Sequence, residues 1–501
     1  MLRRPLLLSA LAPLTAGLLA VPLLTVPAHA TNPDPTSPVR RAVSTPAAAR
    51  ALAAAEDLGA PRSRDATLVL RDLRAHRDEL GTADRAAATQ ILQRPGGDRS
   101  QCYSSVCVHW YSTGPNKATQ AYVDKVAHVA QKVLGTYADA GYRSPESDGS
   151  AGGNGLLDIY LKDLGSQGLY GYCDSDDPPT GTGPFDAPAY CAFDNDYREF
   201  PTHTPLENLE VTAAHELFHA VQFAYDYYED AWFMEATATW AEDELYDDVD
   251  DNLQYLAQSP LKQPAKSMDH FENSGFRQYG DWIFFRYLTE HDTASAGGLP
   301  TLVRAIWERA DGATGGPDDY SIQAVARVLA NRGGSLTSSW SQFAAANRRP
   351  GTSYDEGKAN RYPAAPLARR ISLTGSHRDS GWLTQRVDHL AAATVRLDRA
   401  SGLSARSLKL RLDLPTRSRG SGVVVTVVPT SGRPKSKAVK LSAAGDATTS
   451  IGFGRDVKAV EVTLANAGIH YRGCYQGTAW SCQGRPQDDD LPLKVRATAV
   501  R

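Results

Sequence analysis

The stretch Val211-Thr212-Ala213-Ala214-His215-Glu216-Leu217-Phe218-His219-Ala220-Val221-Gln222 sets two histidines four residues apart, with a glutamate directly after the first. Neither Gly nor Pro interrupts it and its flanks are apolar, so it reads as a helix. Residues four apart on a helix share a face, so both imidazoles reach one metal ion, and Glu216 stands where it can take a proton from water. A catalytic zinc takes three protein ligands and keeps one position open. The next helix offers the third ligand in Trp232-Phe233-Met234-Glu235-Ala236-Thr237-Ala238-Thr239-Trp240, where Glu235 stands alone among apolar and small residues. Burying such a carboxylate without a cation or hydrogen-bond partner is costly. Residues 200–261 carry fourteen Asp and Glu and no Lys or Arg, so no salt bridge within the segment neutralises it. Glu242, Asp243 and Glu244 have the pattern of a solvated helix end. The five-residue HExxH pattern recurs by chance, and two core histidines with satisfied hydrogen bonds are the competing reading. The export signal at the chain's beginning, the apolar flanks and the isolated Glu235 favour zinc held by His215, His219 and Glu235, with Glu216 as catalytic base.

The elements around these residues divide the chain. Residues 48–94 predict two short helices, an N-terminal pro-segment or an accessory pair. From about Asp98 the pattern predicts strands at 106–111, 156–161 and 187–193, and a long amphipathic helix over 116–139 with Ala121, Val123, Val126, Val129, Val133 and Leu134 at helical spacing. Gly- and Asp-rich loops at 144–155 and 173–186 separate them. Asp148 and Asn154 offer oxygens for calcium, but their spacing completes no calcium loop and a solvated turn is preferred. Helices dominate 206–348, which makes 98–350 an α+β domain. Beyond 365 the pattern alternates and is β-branched, as in Val423-Val424-Val425-Thr426-Val427-Val428, and predicts an all-β sandwich over 365–501 after a linker at 349–365.

The HExxH helix followed by a Glu-bearing helix resembles the gluzincins, the thermolysin-like and aminopeptidase-like branch of zinc peptidases. More narrowly, His215 to Tyr246 resembles a family of secreted bacterial metalloproteases, over roughly residues 100–350. The resemblance implies a zincin-like catalytic domain, a protein or peptide substrate, and hydrolysis by metal-activated water. It departs in two places. Fifteen residues separate His219 from Glu235, fewer than in thermolysin or the aminopeptidases, and Thr239 stands where the family places an acid that orients a histidine. The resemblance also calls for a Tyr or His that donates to the developing oxyanion. Tyr279, in Phe276-Arg277-Gln278-Tyr279-Gly280-Asp281-Trp282, is the candidate, ahead of Tyr287, Tyr225 and His291.

The chain's beginning points to export. Arg3 and Arg4 precede an apolar run from Leu6 to Leu24, and Ala28-His29-Ala30 forms a small-x-small cleavage site, so 1–30 reads as a signal peptide with Thr31 as mature terminus. Thr31 to Ala47 reads as a linker within an N-terminal region of 31–97. No later segment reaches spanning length. The six cysteines fall into near pairs, Cys102 with Cys107, Cys173 with Cys191 and Cys474 with Cys482, without a CxxC, and predict disulfides rather than a zinc cluster. Residues 351–501 carry 24 Lys and Arg against 12 Asp and Glu, whereas the first 350 residues are acidic overall. Because the chain is exported, nucleic acid is not the expected partner of that basic end; contact with anionic cell-wall polymer is conceivable, and a solvated surface is preferred. The rival reading is a catalytically silent zincin-like protein that binds at the cell wall or outside the cell.

Overall fold

The structure is a computed structural model and describes residues 43–58, 65–273 and 275–501. The predicted signal peptide, its cleavage site and most of the Thr31–Ala47 linker lie outside the described residues. The end of that linker, Pro46 and Ala47, is helical.

Three α-helices form where two were expected: α1 (Pro46–Glu56), α2 (Thr67–Ala75) and α3 (Thr82–Ile91). Thr45 starts α1 by accepting the Ala48 N–H, with Pro46 in the first turn. Their apolar faces, including Leu52, Val69, Leu70 and Leu73, pack in one cluster with Tyr160, Tyr172 and Tyr190 of a five-stranded sheet. That sheet contains β1 (Arg99–Cys102), β2 (Val106–Trp110), β3 (Leu157–Lys162), β4 (Gly171–Asp174) and β5 (Tyr190–Asp194), in the order β1-β2-β3-β5-β4. β2, β3 and β5 run parallel, and β1 and β4 are antiparallel edges. The two edges escaped the sequence reading because each has only four residues, and β1 is exposed throughout.

On the sheet's other side lie α4 (Gln120–Asp139) and α5 (Pro205–Phe223). α5 starts with a complete capping box, Thr204 and Glu207 each bonding the other's backbone N–H, with Pro205 in its first turn. It is apolar on nearly every side and runs through the centre of the main core. α6 (Ala231–Leu245) packs against it, followed by α7 (Arg277–Gly280), α8 (Trp282–Glu290), α9 (Thr301–Arg309), α10 (Ser321–Asn331) and α11 (Leu336–Ala346). The helical stretch from Arg277 to Glu290 is broken at Asp281, and Asp251–Ala257 is a 3-10 helix.

Residues 369–500 form two facing antiparallel-rich sheets of five and four strands around a core of Val, Leu and Ala. The molecule is therefore mixed α/β with a β-rich C-terminal region. The segment expected as a linker at 349–365 is packed instead: Tyr354 and Tyr362 are buried in the helical core, and Glu356 pairs with Arg286 at 2.7 Å. The β-rich region is docked by polar contacts as well. Trp340 Nε1 donates to the Ala391 carbonyl at 3.1 Å, and buried Asp269 pairs with His389 at 2.7 Å.

All three predicted disulfides form: Cys102–Cys107, Cys173–Cys191 and Cys474–Cys482. Asp148 and Asn154 are otherwise engaged. Asp148 pairs with Arg94 at 2.6 Å, and the Asn154 amide donates to the sulfurs of the first disulfide. No helix among the described residues is long and apolar enough to cross a membrane.

Candidate metal centre

The helical spacing places His215 and His219 on one face of α5, with their Nε2 atoms 3.1 Å apart. α6 brings Glu235 to the same point: its Oε2 lies 3.1 Å from His215 Nε2 and 3.7 Å from His219 Nε2. A fourth donor arrives from the chain's beginning, with Asp65 Oδ2 3.6 Å from His219 Nε2. All four offer one ligand atom each within 4.8 Å of one another, and all four residues are buried. The group has the donor types and spacing to hold a metal ion.

The outer nitrogens of both rings are held by partners that leave the inner ones free for a metal. Gln222 Nε2 donates to the Met234 carbonyl and to Thr237 Oγ1, so its Oε1 is the atom that faces His219 Nδ1, at 2.7 Å. An amide oxygen only accepts, so His219 Nδ1 carries the proton and Nε2 keeps its lone pair in the neutral ring. His215 Nδ1 likewise donates to Glu242 Oε1 at 2.6 Å. Two ring lone pairs and two carboxylates then converge on one point, an arrangement that a divalent ion satisfies.

The electrostatics agree. Burial disfavours a charged ring, yet Glu235 and Glu242 outweigh it and hold His215 well above the ordinary histidine range. His219 is pushed up to about 9 against burial, chiefly by Asp65 and Glu235. Asp65 is held far below the usual carboxylate range by the two histidines, despite its burial. The site thus draws positive charge, as protons or as a metal. Glu216 lies next to the donor set but outside it. Burial first, and then Asp65, push its carboxyl well above the ordinary value, and its Oε2 accepts from Thr67 Oγ1 at 3.0 Å.

Tyr279 is placed at the same centre by α7. Its ring stacks on that of His215 with centroids 6.0 Å apart, and burial and Glu235 raise its hydroxyl well above the ordinary range, so it stays protonated. Tyr287, Tyr225 and His291 make their ring contacts with other aromatics and none with the two histidines.

The expectation for the end of α6 is corrected. Glu242 and Asp243 are buried and do not form a solvated helix end. Glu242 orients His215, while Arg286 from α8 compensates Asp243 at 3.1 Å and Glu244 at 3.5 Å. The acids of 200–261 therefore find their counter-charge beyond the segment. Thr239, at the position where the resemblance puts an orienting acid, is buried with its hydroxyl unbonded. Glu242 was legible in principle, since it lies seven residues and so two turns after Glu235 on one face. Gln222 likewise lies three residues after His219. Asp65 had no sequence signal, because 150 residues separate it from its neighbours at the centre.

No protein-family model matches the chain. No curated protein matches it either. Among solved structures, one similar chain is a family GH115 4-O-methyl-alpha-glucuronidase with specificity for decorated arabinogalactans. The identity is 12% and the TM-score 0.14, over 60% of this chain and 45% of that one, so this chain spans less than half of that enzyme's length. A likeness at that level carries no argument about fold or chemistry, and the reading of the site rests on its own donors.

Proposed function

We propose that this chain is a zinc-dependent peptidase of the gluzincin type, with a zincin-like domain that holds the metal through His215, His219 and Glu235. The observation that carries this reading is the convergence of both Nε2 lone pairs on the Glu235 carboxylate, with each ring's other nitrogen tied to Glu242 or Gln222. Zinc bound by such donors supplies a Lewis acid that lowers the pKa of water and polarises a carbonyl. Glu216 is the base: its carboxylate takes the proton of the attacking water and passes it to the departing amine nitrogen. The hydroxyl of Tyr279, whose ring stacks on His215, donates to the oxygen that gains negative charge. Glu242 and Gln222 hold the rings in the tautomer that the metal requires.

The edge strand β4 supports a polypeptide substrate. It passes over α5 so closely that a side chain at Gly171 would meet Thr212 and Glu216 at about 3 Å. A substrate strand laid along β4 would run beside the proposed base. Three disulfides fit export and an extracellular site of action. A catalytically silent binding protein would have no use for a metal-binding tautomer at both histidines together with an adjacent Glu216.

The deciding experiment is elemental analysis of the purified chain and of His219→Ala. About one zinc per chain, lost in the variant, is expected. Absence of zinc in both after incubation with added metal would end this reading.

A further inference from the structure

Asp65 stands outside any role in turnover, yet it reaches the metal centre from the N-terminal region. We propose that Asp65 is a fourth metal ligand that closes the open position, and that the stretch from Asp65 to Thr67 occupies the substrate cleft. The chain in this form is then latent until that segment is withdrawn. This inference rests on the zinc peptidase reading above.

Three observations meet in this segment. Asp65 belongs to the same ligand group as His215, His219 and Glu235, so the group offers four donors where a working catalytic site keeps three. Thr67, two residues on, donates from Oγ1 to Glu216 Oε2 at 3.0 Å and accepts the Cys173 N–H of β4 at 2.8 Å. The proposed base and a backbone donor of the edge strand are therefore held by one side chain. Asp65 also makes a bridge to Gly171 of β4, in parallel sense. A backbone paired with an exposed strand edge is how an extended peptide binds a sheet, and here the chain's own N-terminal region takes that place.

The cleft is filled as a result. His215, Glu216, His219 and Glu235 are each no more than 5% exposed. Cavities of about 30 and 10 Å³ remain, and Asp65 lines both. Such volumes hold about a water molecule each, far short of a peptide. The segment is anchored further along by residues with no part in the chemistry. Arg71 Nη1 donates to the carbonyls of Tyr227 and Glu229, Arg74 pairs with Asp174, and Arg94 is held by Asp148, Asp158 and Asp176. These contacts hold Asp65 in place while leaving its bond to a metal dependent on one short stretch of chain.

The test uses the full chain, wild type and the variants Asp65→Ala, Asp65→Asn and Thr67→Val, loaded with Co(II) in place of zinc. Metal per chain is measured, and acetohydroxamate is titrated while the Co(II) absorption reads coordination. A ligand that must displace a resident carboxylate binds with an apparent affinity lowered by the fraction of open sites, so the Asp65 variants should bind at least about tenfold tighter than wild type. Thr67→Val, which keeps Asp65, should gain less. Peptide hydrolysis should rise in the same order. One metal per chain throughout with equal acetohydroxamate affinity would overturn the Asp65 proposal and leave the metal site standing. Loss of metal in the Asp65 variants alone would make Asp65 a permanent ligand and overturn latency. No metal in any of the four would remove the zinc reading itself.

Discussion

α5 and α6 meet at one point but are built in different ways. α5 carries its own beginning: Thr204 and Glu207 cap it reciprocally and Pro205 occupies its first turn. α6 has no side-chain cap of its own. Its start is held by contacts distant in sequence. Asp230 Oδ2 accepts from Ser321 Oγ at 2.5 Å and from the Cys482 N–H at 2.7 Å, and Trp232 Nε1 donates to Ser481 Oγ at 3.1 Å. The C-terminal disulfide loop thus fixes the helix end one turn before Glu235. Two histidines on one locally encoded helix can set half of a metal centre. The other half depends on the whole chain having folded.

The largest effect expected concerns chemistry on α5. Glu216→Gln should keep one metal per chain while peptide hydrolysis falls by a factor on the order of 10²–10⁴ or more. Wild-type turnover by that variant would remove Glu216 as the base. Next come the acids of α6. Glu235→Ala should lose metal affinity by more than the roughly 10–100-fold expected for Glu242→Ala, which removes only the partner of His215. Equal losses, read by chelator competition, would move the third ligand.

A smaller effect separates the two helices directly. Asp230→Ala strands two buried donors at a cost of about 1–3 kcal/mol each, and should also speed release of metal to a chelator. Thr204→Ala should cost about 1 kcal/mol of stability and leave metal retention unchanged. If both variants retained metal alike, the distant support of α6 would have no bearing on the centre.

The smallest effect concerns the docking of the β-rich region. His389 is pushed up to about 10 by Asp269 and Asp489 against the cost of its burial, and its ring lies between both carboxylates. A raised folded value means that its contribution to stability is complete below the unfolded pKa of about 6.5 and is lost as pH rises toward 10. Asp269 is lowered to about 2 by His389 despite burial, so its share is present above about 4 and fails only in stronger acid. The melting temperature should therefore decline from pH 6.5 to 10, and His389→Gln should flatten that decline. An unchanged slope in the variant would place the pH dependence elsewhere.

Much of this was legible in the residues. The spacing of His215 and His219 determines their shared helix face, because a helix of 3.6 residues per turn returns to one side after four. The isolation of Glu235 on an apolar helix marked it as a group needing a cation, and the near pairs of cysteines matched the disulfides that form. The alternating runs after 365 gave two sheets because a period of two leaves one face to bury. Other features depended on long-range packing. Glu242 looked like a surface acid because its compensating ring, His215, lies 27 residues away on another helix. Arg286 could not be matched to Asp243 from a segment without basic residues. Asp65 is 150 residues from His215, and no local pattern ties an acid before α2 to a histidine in α5. Periodicity and propensity act between near neighbours, so the sequence by itself determined which residues share a face and which are paired by short loops. Burial, counter-charge and the fourth donor arise between elements that meet only when the chain closes on itself, and the tertiary structure alone decided those.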